Sequence, residues 1–297
     1  MRVSVRVFAL LCACVVGALV PSRAHAQHAG ATDPVLRARA LRAGSPLKMF
    51  IPSGTVRIVA WDRDSIVVRG RVPSSGTLMF GGRDTSGYKL VIEQRDGGEL
   101  PESHLLIYVP RRSQLSLKTA DAIVDATDVS GWFYTVSGRY HIDGAASSLD
   151  VEAMSGDIDL EATTPFARAK TGKGHLVVRG TPQDVDASTI GGTLDIATSS
   201  IMHGRFTSVT GDIHYAAAIA PHALFELSTH SGTIDLLLPH DVSARLELST
   251  VDGEIDNGFA SVRPAAAGVH NLRLSLGAAS ADITVRTFKG KVIVRSR

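Results

Sequence analysis

Ser208-Val-Thr-Gly-Asp-Ile-His-Tyr215 places a small corner with a glycine ahead of strictly alternating polar and apolar residues. The chain repeats this phrase as Thr135-Val-Ser-Gly-Arg-Tyr-His-Ile142, Ala153-Met-Ser-Gly-Asp-Ile-Asp-Leu160, Thr171-Gly-Lys-Gly-His-Leu-Val-Val178 and Thr189-Ile-Gly-Gly-Thr-Leu-Asp-Ile196. It returns again as Thr229-His-Ser-Gly-Thr-Ile-Asp-Leu236 and Thr250-Val-Asp-Gly-Glu-Ile-Asp-Asn257. The anchoring glycines are Gly138, Gly156, Gly174, Gly192, Gly211, Gly232 and Gly253, spaced 18, 18, 18, 19, 21 and 21 residues apart. A near-constant period of this size is the signature of a solenoid.

Aligned on the glycine, the second position after it is apolar throughout: Tyr140, Ile158, Leu176, Leu194, Ile213, Ile234 and Ile255. The fourth position holds Ile142, Leu160, Val178, Ile196, Tyr215 and Leu236, and frays at Asn257. Between them lie His141, Asp159, Val177, Asp195, His214, Asp235 and Asp256. Alternation at period two describes a strand with one buried face. A second apolar column, Phe133, Val151, Ala169, Ala187, Phe206, Leu227 and Leu248, lies five places before each glycine, so each repeat holds two strands. Thr or Ser stands three places before the glycine in all phrases but one, where it can bond backbone at a tight corner. The glycine is expected to supply positive φ there.

These columns predict an all-β protein: a parallel β-solenoid (a flattened β-helix or β-roll) with coils of roughly 18–21 residues, preceded by irregular N-terminal strands packed as a cap. An antiparallel sandwich of regular hairpins is the alternative. Hairpins do not require one column to stay apolar through seven repeats; stacking does.

Arg2 and Arg6 precede an apolar run from Val7 to Val20, and Ala24-His25-Ala26 fits a small-x-small cleavage site. This reads as a secretory signal peptide, 1–26, against an uncleaved anchor or, at Leu11-Cys12-Ala13-Cys14, a lipoprotein box. Both cysteines of the chain, Cys12 and Cys14, lie in it, so a mature chain offers no disulfide, thiolate nucleophile or Cys-ligated zinc. Without Arg2, Arg6 and Arg23 it has 28 basic and 29 acidic residues, which gives no basic excess for nucleic acid. No second long apolar run marks a transmembrane span in it.

The expected organisation is signal peptide 1–26, linker 27–46, an N-terminal β region 47–112 and the repeat solenoid 113–297. Asn257 to His270 reads as an insertion. Leu272 to Val294 supplies closing strands, with Ala281-Asp-Ile-Thr-Val and Lys289-Gly-Lys-Val-Ile as degenerate phrases. Terminal coils cap a stack and are atypical for that reason.

Gly54-Thr-Val-Arg-Ile-Val-Ala-Trp-Asp-Arg-Asp-Ser-Ile-Val-Val, the Val109-Pro110 entry and the repeated Ser/Thr-Gly-Asp-Ile-x-Leu phrases together resemble the bacterial "putative adhesin" β-solenoid family. That family is of unknown function and is found in exported and envelope proteins. The resemblance spans roughly Leu47 to Val294. It implies a β-solenoid and an envelope or surface location, and it carries over no catalytic residue.

Chemistry-bearing residues are spread rather than gathered. Asp195, His214, Asp235 and Asp256, stacked in one column, could hold a divalent cation; a solvated outer face is the plainer expectation. Gly191-Gly192-Thr-Leu-Asp matches a calcium-binding nonapeptide only in part. There is no Gly-x-Ser-x-Gly, His-Glu-x-x-His or phosphate-binding loop. Asp157 and Asp159 recur as a repeat position rather than a single acid pair. Trp132, Phe133 and Tyr134 form one aromatic cluster, expected to cap the first coil rather than stack on sugar. His203, His214, His222, His230, His240 and His270 are read as scattered and exposed. We therefore expect no catalytic, cofactor-binding or metal site. The expected role is that of an exported, structural or binding (adhesin-like) protein of the periplasm, cell envelope or extracellular space. Its partner would be an envelope or surface ligand, protein or polysaccharide, and not nucleic acid. The alternative is a carbohydrate-active β-helical enzyme, a polysaccharide lyase or hydrolase.

Overall fold

The computed structural model describes residues 32–83, 86–95, 98–198, 201–259, 266–268 and 270–297. The expected signal peptide lies outside them. Every described helix or strand element is a strand. Strands pair in parallel along the expected columns: Tyr140 with Ile158, Ile158 with Leu176, then Leu194, Ile213 and Ile234 in turn. The second column stacks likewise, from Phe133 through Val151, Ala169, Ala187 and Phe206 to Leu227. Both columns are buried and face one continuous core. The chain is a parallel β-solenoid of two sheets sharing that core.

The stack does not follow chain order at either end. Among the described residues it holds eleven coils, named here by their corner residue. Their spatial order is Ser103, Gly54, Ala122, Gly138, Gly156, Gly174, Gly192, Gly211, Gly232, Gly290, Gly253. Ile234 and Ile255, expected as neighbours, are separated by Val292. In the other sheet Val285 lies between Leu227 and Leu248. The degenerate-looking closing strands are thus an interior coil. Asn257 supplies the reason. It would leave a buried amide between two coils, whereas Val292 and Val294 fill both apolar positions. The imperfect phrase goes to the end of the stack, and there Asn257 is half-buried and accepts the Phe259 N–H at 3.0 Å.

The corner glycines have a cause other than the one expected. Of the seven phrase glycines, Gly138 and Gly174 have positive φ; the others do not. What they share is closeness to the corner below. A Cβ on Gly156, Gly174, Gly192, Gly211, Gly232, Gly290 or Gly253 would stand between 1.7 and 2.7 Å from the carbonyl oxygen of the preceding corner. Ser103 is tolerated because no coil precedes it, while Ala122 departs from the rule. The hydroxyls behave as anticipated: Thr189, Ser208, Thr229 and Thr287 each accept the N–H of the glycine three residues on, at 2.8 to 3.1 Å.

Antiparallel strands close both ends. Ser65–Pro73 pairs with Glu102–Pro110, and Gly76–Arg83 with Gly87–Gln94. At the far end Asn271–Leu276 pairs with Ala244–Thr250. Open parallel edges invite further strands, and these caps turn the hydrogen-bonding direction away from the solenoid pattern. The stretch read as a linker, 27–46, is partly built into the cap: Thr32–Ala40 pairs antiparallel with Ser65–Pro73. Within 47–112, Pro46–Trp61 and Gly87–Pro110 supply two further coils in register with the rest.

Candidate functional site

The outer columns are where a ligand would meet this fold, since the inner ones are filled by core. Most of their charges are spent on neighbouring coils. Asp159 lies 3.2 Å from His141 on one side and 2.6 Å from Arg179 on the other. His175 lies 2.9 Å from Asp195, Arg139 lies 3.7 Å from Asp157, and Arg295 pairs with Asp235. Lys291 reaches Asp256 at 3.6 Å and Glu254 at 3.8 Å. These are exposed or half-exposed pairs, each contributing little, but together they neutralise stacked like charges.

The candidate cation column is broken: Asp195, His214 and Asp235 stand in consecutive register, but Asp256 does not follow them. The Gly290 coil puts Ile293 between Asp235 and Asp256. Asp195, Asp235 and Asp256 are each engaged by the side chain just named, His175, Arg295 and Lys291 in turn. Among the described residues no cluster of three His or carboxylate groups has metal-binding geometry. Asp157 and Asp212 have a structural task that their alternation concealed: they accept the N–H of His175 at 2.9 Å and of Thr233 at 2.7 Å in the next coil. The histidines are partnered in several places. His203 lies 2.7 Å from Asp184, and the His230 ring stacks on Phe288 at 4.9 Å.

On the sheet of the second apolar column, an open groove of about 500 Å³ runs past Phe166, Asp184, Asp186, His203, Glu226 and Asp282. Its four acids face bases of adjoining coils: His203, Arg168 at 3.6 Å, Arg205 and Arg286 at 3.9 Å, and Arg245 at 3.1 Å. The aromatic cluster divides. Phe133 is fully buried, while Trp132 and Tyr134 point outward, ring centroids 5.8 Å apart and 16° from parallel. They belong to the fourth coil of the stack and cap nothing.

A second feature was missed in the sequence. The residue two places before the corner glycine is apolar and exposed in six coils: Val136, Met154, Ile190, Val209, Phe288 and Val251. In stack order these side chains form a ridge along the glycine edge, interrupted at Gly172 and His230. The signal was present inside the triplets, whose middle letter is usually Val, Met or Ile; the small residues around it masked the column. Contiguous exposed apolar surface of this kind marks interaction sites.

Two titratable groups are strongly shifted, and both belong to the core. Burial pushes the phenols of Tyr140 and Tyr215 well above their ordinary range. Tyr140 donates to the Tyr134 carbonyl at 2.8 Å, which keeps its buried oxygen satisfied. Near the N-terminal end, Asp128 is held below the usual carboxylate range by the Ala145 N–H and by Arg111.

Fold and surface together define an all-β solenoid that exposes repeated columns. The chain belongs to the Toastrack DUF4097 family, whose model matches residues 101–295. This bears out the expected kinship with the bacterial "putative adhesin" solenoids. Among solved structures it is similar to a putative adhesin from Bacteroides fragilis, at 11% identity over 88% of this chain and 97% of that one, with a TM-score of 0.43. It is also similar to a putative adhesin from Parabacteroides distasonis, at 12% identity over 91% and 98%, with a TM-score of 0.39. A search of curated proteins finds no match. Among the described residues no helix is long and apolar enough to cross a membrane.

Proposed function

We propose that this chain is exported, with 1–26 removed, and works at the cell envelope or surface in a structural or binding, adhesin-like role without catalysis. The observation that carries this reading is repetition. Coil after coil presents the same outer positions and the same exposed apolar corner, from Val136 through Met154, Ile190 and Val209 to Val251. Such a surface binds by summing weak contacts across coils, and no single coil holds a unique constellation. The ligand is an envelope or surface protein or polysaccharide. The experiment is cell and polymer binding by purified protein. Ile190→Ser alone should weaken retention slightly, whereas Met154→Ser, Ile190→Ser and Val209→Ser together should abolish it. Equal loss from one substitution and from three would refute a summed surface.

One observation favours a second reading. The groove at Asp184, His203 and Glu226 sets acids and a base beside Phe166, which is the composition a polysaccharide lyase or hydrolase would use. Turnover of an envelope or extracellular polysaccharide, with or without calcium, that is lost in Asp184→Asn would establish the enzyme. Absence of turnover with retained binding supports the non-catalytic role.

A further inference from the structure

The described N-terminal end differs from the rest in charge. Elements from residue 32 through 127 carry 14 basic and 10 acidic residues, while 128–297 carries 14 and 19. Three of these basic residues, Lys48, Lys89 and Lys118, lie close together on the sheet that also bears the groove. Registered pairing sets Lys89 beside Lys48 and Ser116, then Trp132 and Asp150. The adjoining outward column reads Val91, Phe50, Lys118, Tyr134, Glu152.

Lys48, Lys89 and Lys118 are all exposed, and no carboxylate among the described residues lies within ion-pairing distance of them. Further along the same sheet the basic side chains are engaged, as with Arg168 between Asp150 at 3.5 Å and Asp186 at 3.6 Å. The nearest acids to the lysines in the register are Asp150, Glu152 and Glu93, which rim the patch rather than enter it. Aromatic groups fill the interior. Phe50 is 41% exposed, and the Lys118 ammonium stands 5.2 Å over the Trp132 ring. A hollow of about 590 Å³ opens beside the lysines, lined by Pro46, Lys48, Met79, Phe80, Tyr88 and Lys89. A shallower one of about 180 Å³ lies between Phe50, Val91 and Lys118.

We propose that this patch binds an acidic polysaccharide, with Lys48, Lys89 and Lys118 meeting carboxylates and the Trp132–Tyr134 wall meeting sugar faces. The proposal rests on the adhesin-like reading and names its ligand class. Strands about 4.8 Å apart put the three ammonium groups on a rigid surface whose length suits several sugar units. Sugar rings have an apolar face that packs on aromatic rings, and uronate carboxylates match ammonium groups as point charges. A membrane surface fits less well. Trp132 and Tyr134 are half-buried in the sheet and do not protrude. Nucleic acid would require a longer basic track than three lysines beside an acidic stack.

The test uses purified protein and four probes: polygalacturonate, the same polymer with its carboxyls reduced, dextran, and phosphatidylglycerol vesicles. Polygalacturonate should bind, more weakly as salt rises, with the carboxyl-reduced form at least about tenfold weaker. Lys48→Gln, Lys89→Gln and Lys118→Gln together should cut affinity by about tenfold or more without moving the urea midpoint, since all three are exposed. Trp132→Ala should weaken binding several-fold. A charge-matched control on the other sheet, Arg57→Gln with Arg69→Gln and Arg71→Gln, should leave affinity within about twofold. Equal losses from the two triples would show that net charge alone is being read and would overturn the site. So would polygalacturonate binding no better than its reduced form, unchanged binding in Trp132→Ala, or retention on vesicles without retention of polymer. If the unsubstituted protein is retained on cells or neutral polymers but does not bind polygalacturonate, the patch fails and the adhesin-like role stands. Failure to bind cells or any polymer removes both.

Discussion

Val292→Asp tests the exchanged coil order directly. Val292 is the sixth residue from the end of the sequence, where sequence position alone would suggest a tolerant, fraying tail. The structure makes it an interior residue, fully buried between Ile234 and Ile255. Losing the buried valine removes roughly 1.5–3 kcal/mol of apolar burial. Placing a carboxylate there adds a desolvation cost of several kcal/mol more. The total of about 5 kcal/mol or more is comparable with the whole stability of a typical domain, about 5–15 kcal/mol. Ile255, in the outermost coil, is half-exposed, so Ile255→Asp should cost about 1–2 kcal/mol. Urea unfolding followed by far-ultraviolet circular dichroism should show the Val292→Asp midpoint lowered by about 2 M or the protein unfolded outright. Val292→Ala provides a folded comparison, at about 1.5–2.5 kcal/mol. A Val292→Asp midpoint at the wild-type value, or greater damage from Ile255→Asp, would refute the insertion of the last coil.

Gly211→Ala should destabilise by several kcal/mol, because its Cβ would stand 1.7 Å from the Gly192 carbonyl, whereas Gly81→Ala meets nothing within 4 Å and should be near neutral in the same melt. Ile213→Asp should unfold the stack, while Asp212→Ser, although outward-facing, should cost about 1 kcal/mol through loss of the bond to the Thr233 N–H; equal midpoints for the two variants would contradict the inside–outside assignment. Burial raises the Tyr140 and Tyr215 phenols above their unfolded value of about 10, so each contributes stability that is complete below pH 10 and is lost as pH rises beyond it. Urea midpoints should therefore fall above about pH 10, and Tyr140→Phe with Tyr215→Phe should flatten that decline; an unchanged slope would mean the phenols are not buried.

The strand phrase, the two-sheet coil and the inside–outside assignment were legible in the sequence because stacking imposes one residue type on a whole column. Tyr140, Ile158, Leu176, Leu194, Ile213 and Ile234 reveal the core without any coordinates. The corner glycines and hydroxyls were equally visible, although the shared reason for glycine is the closeness of the next carbonyl rather than positive φ alone. The exposed Val136–Val251 ridge was readable in principle but was hidden by the small residues flanking each member. What the tertiary structure alone decided is which coil sits beside which. Period two and a repeat of 18–21 residues are satisfied by any order of coils, since each coil offers its neighbours nearly the same edge. Order is then set by the exceptions, above all Asn257, whose amide an interior coil would bury where Val294 now stands. The lysine patch has the same origin. Lys48, Lys89 and Lys118 lie far apart in the chain, and the exchanged coils at the N-terminal end bring them onto one surface.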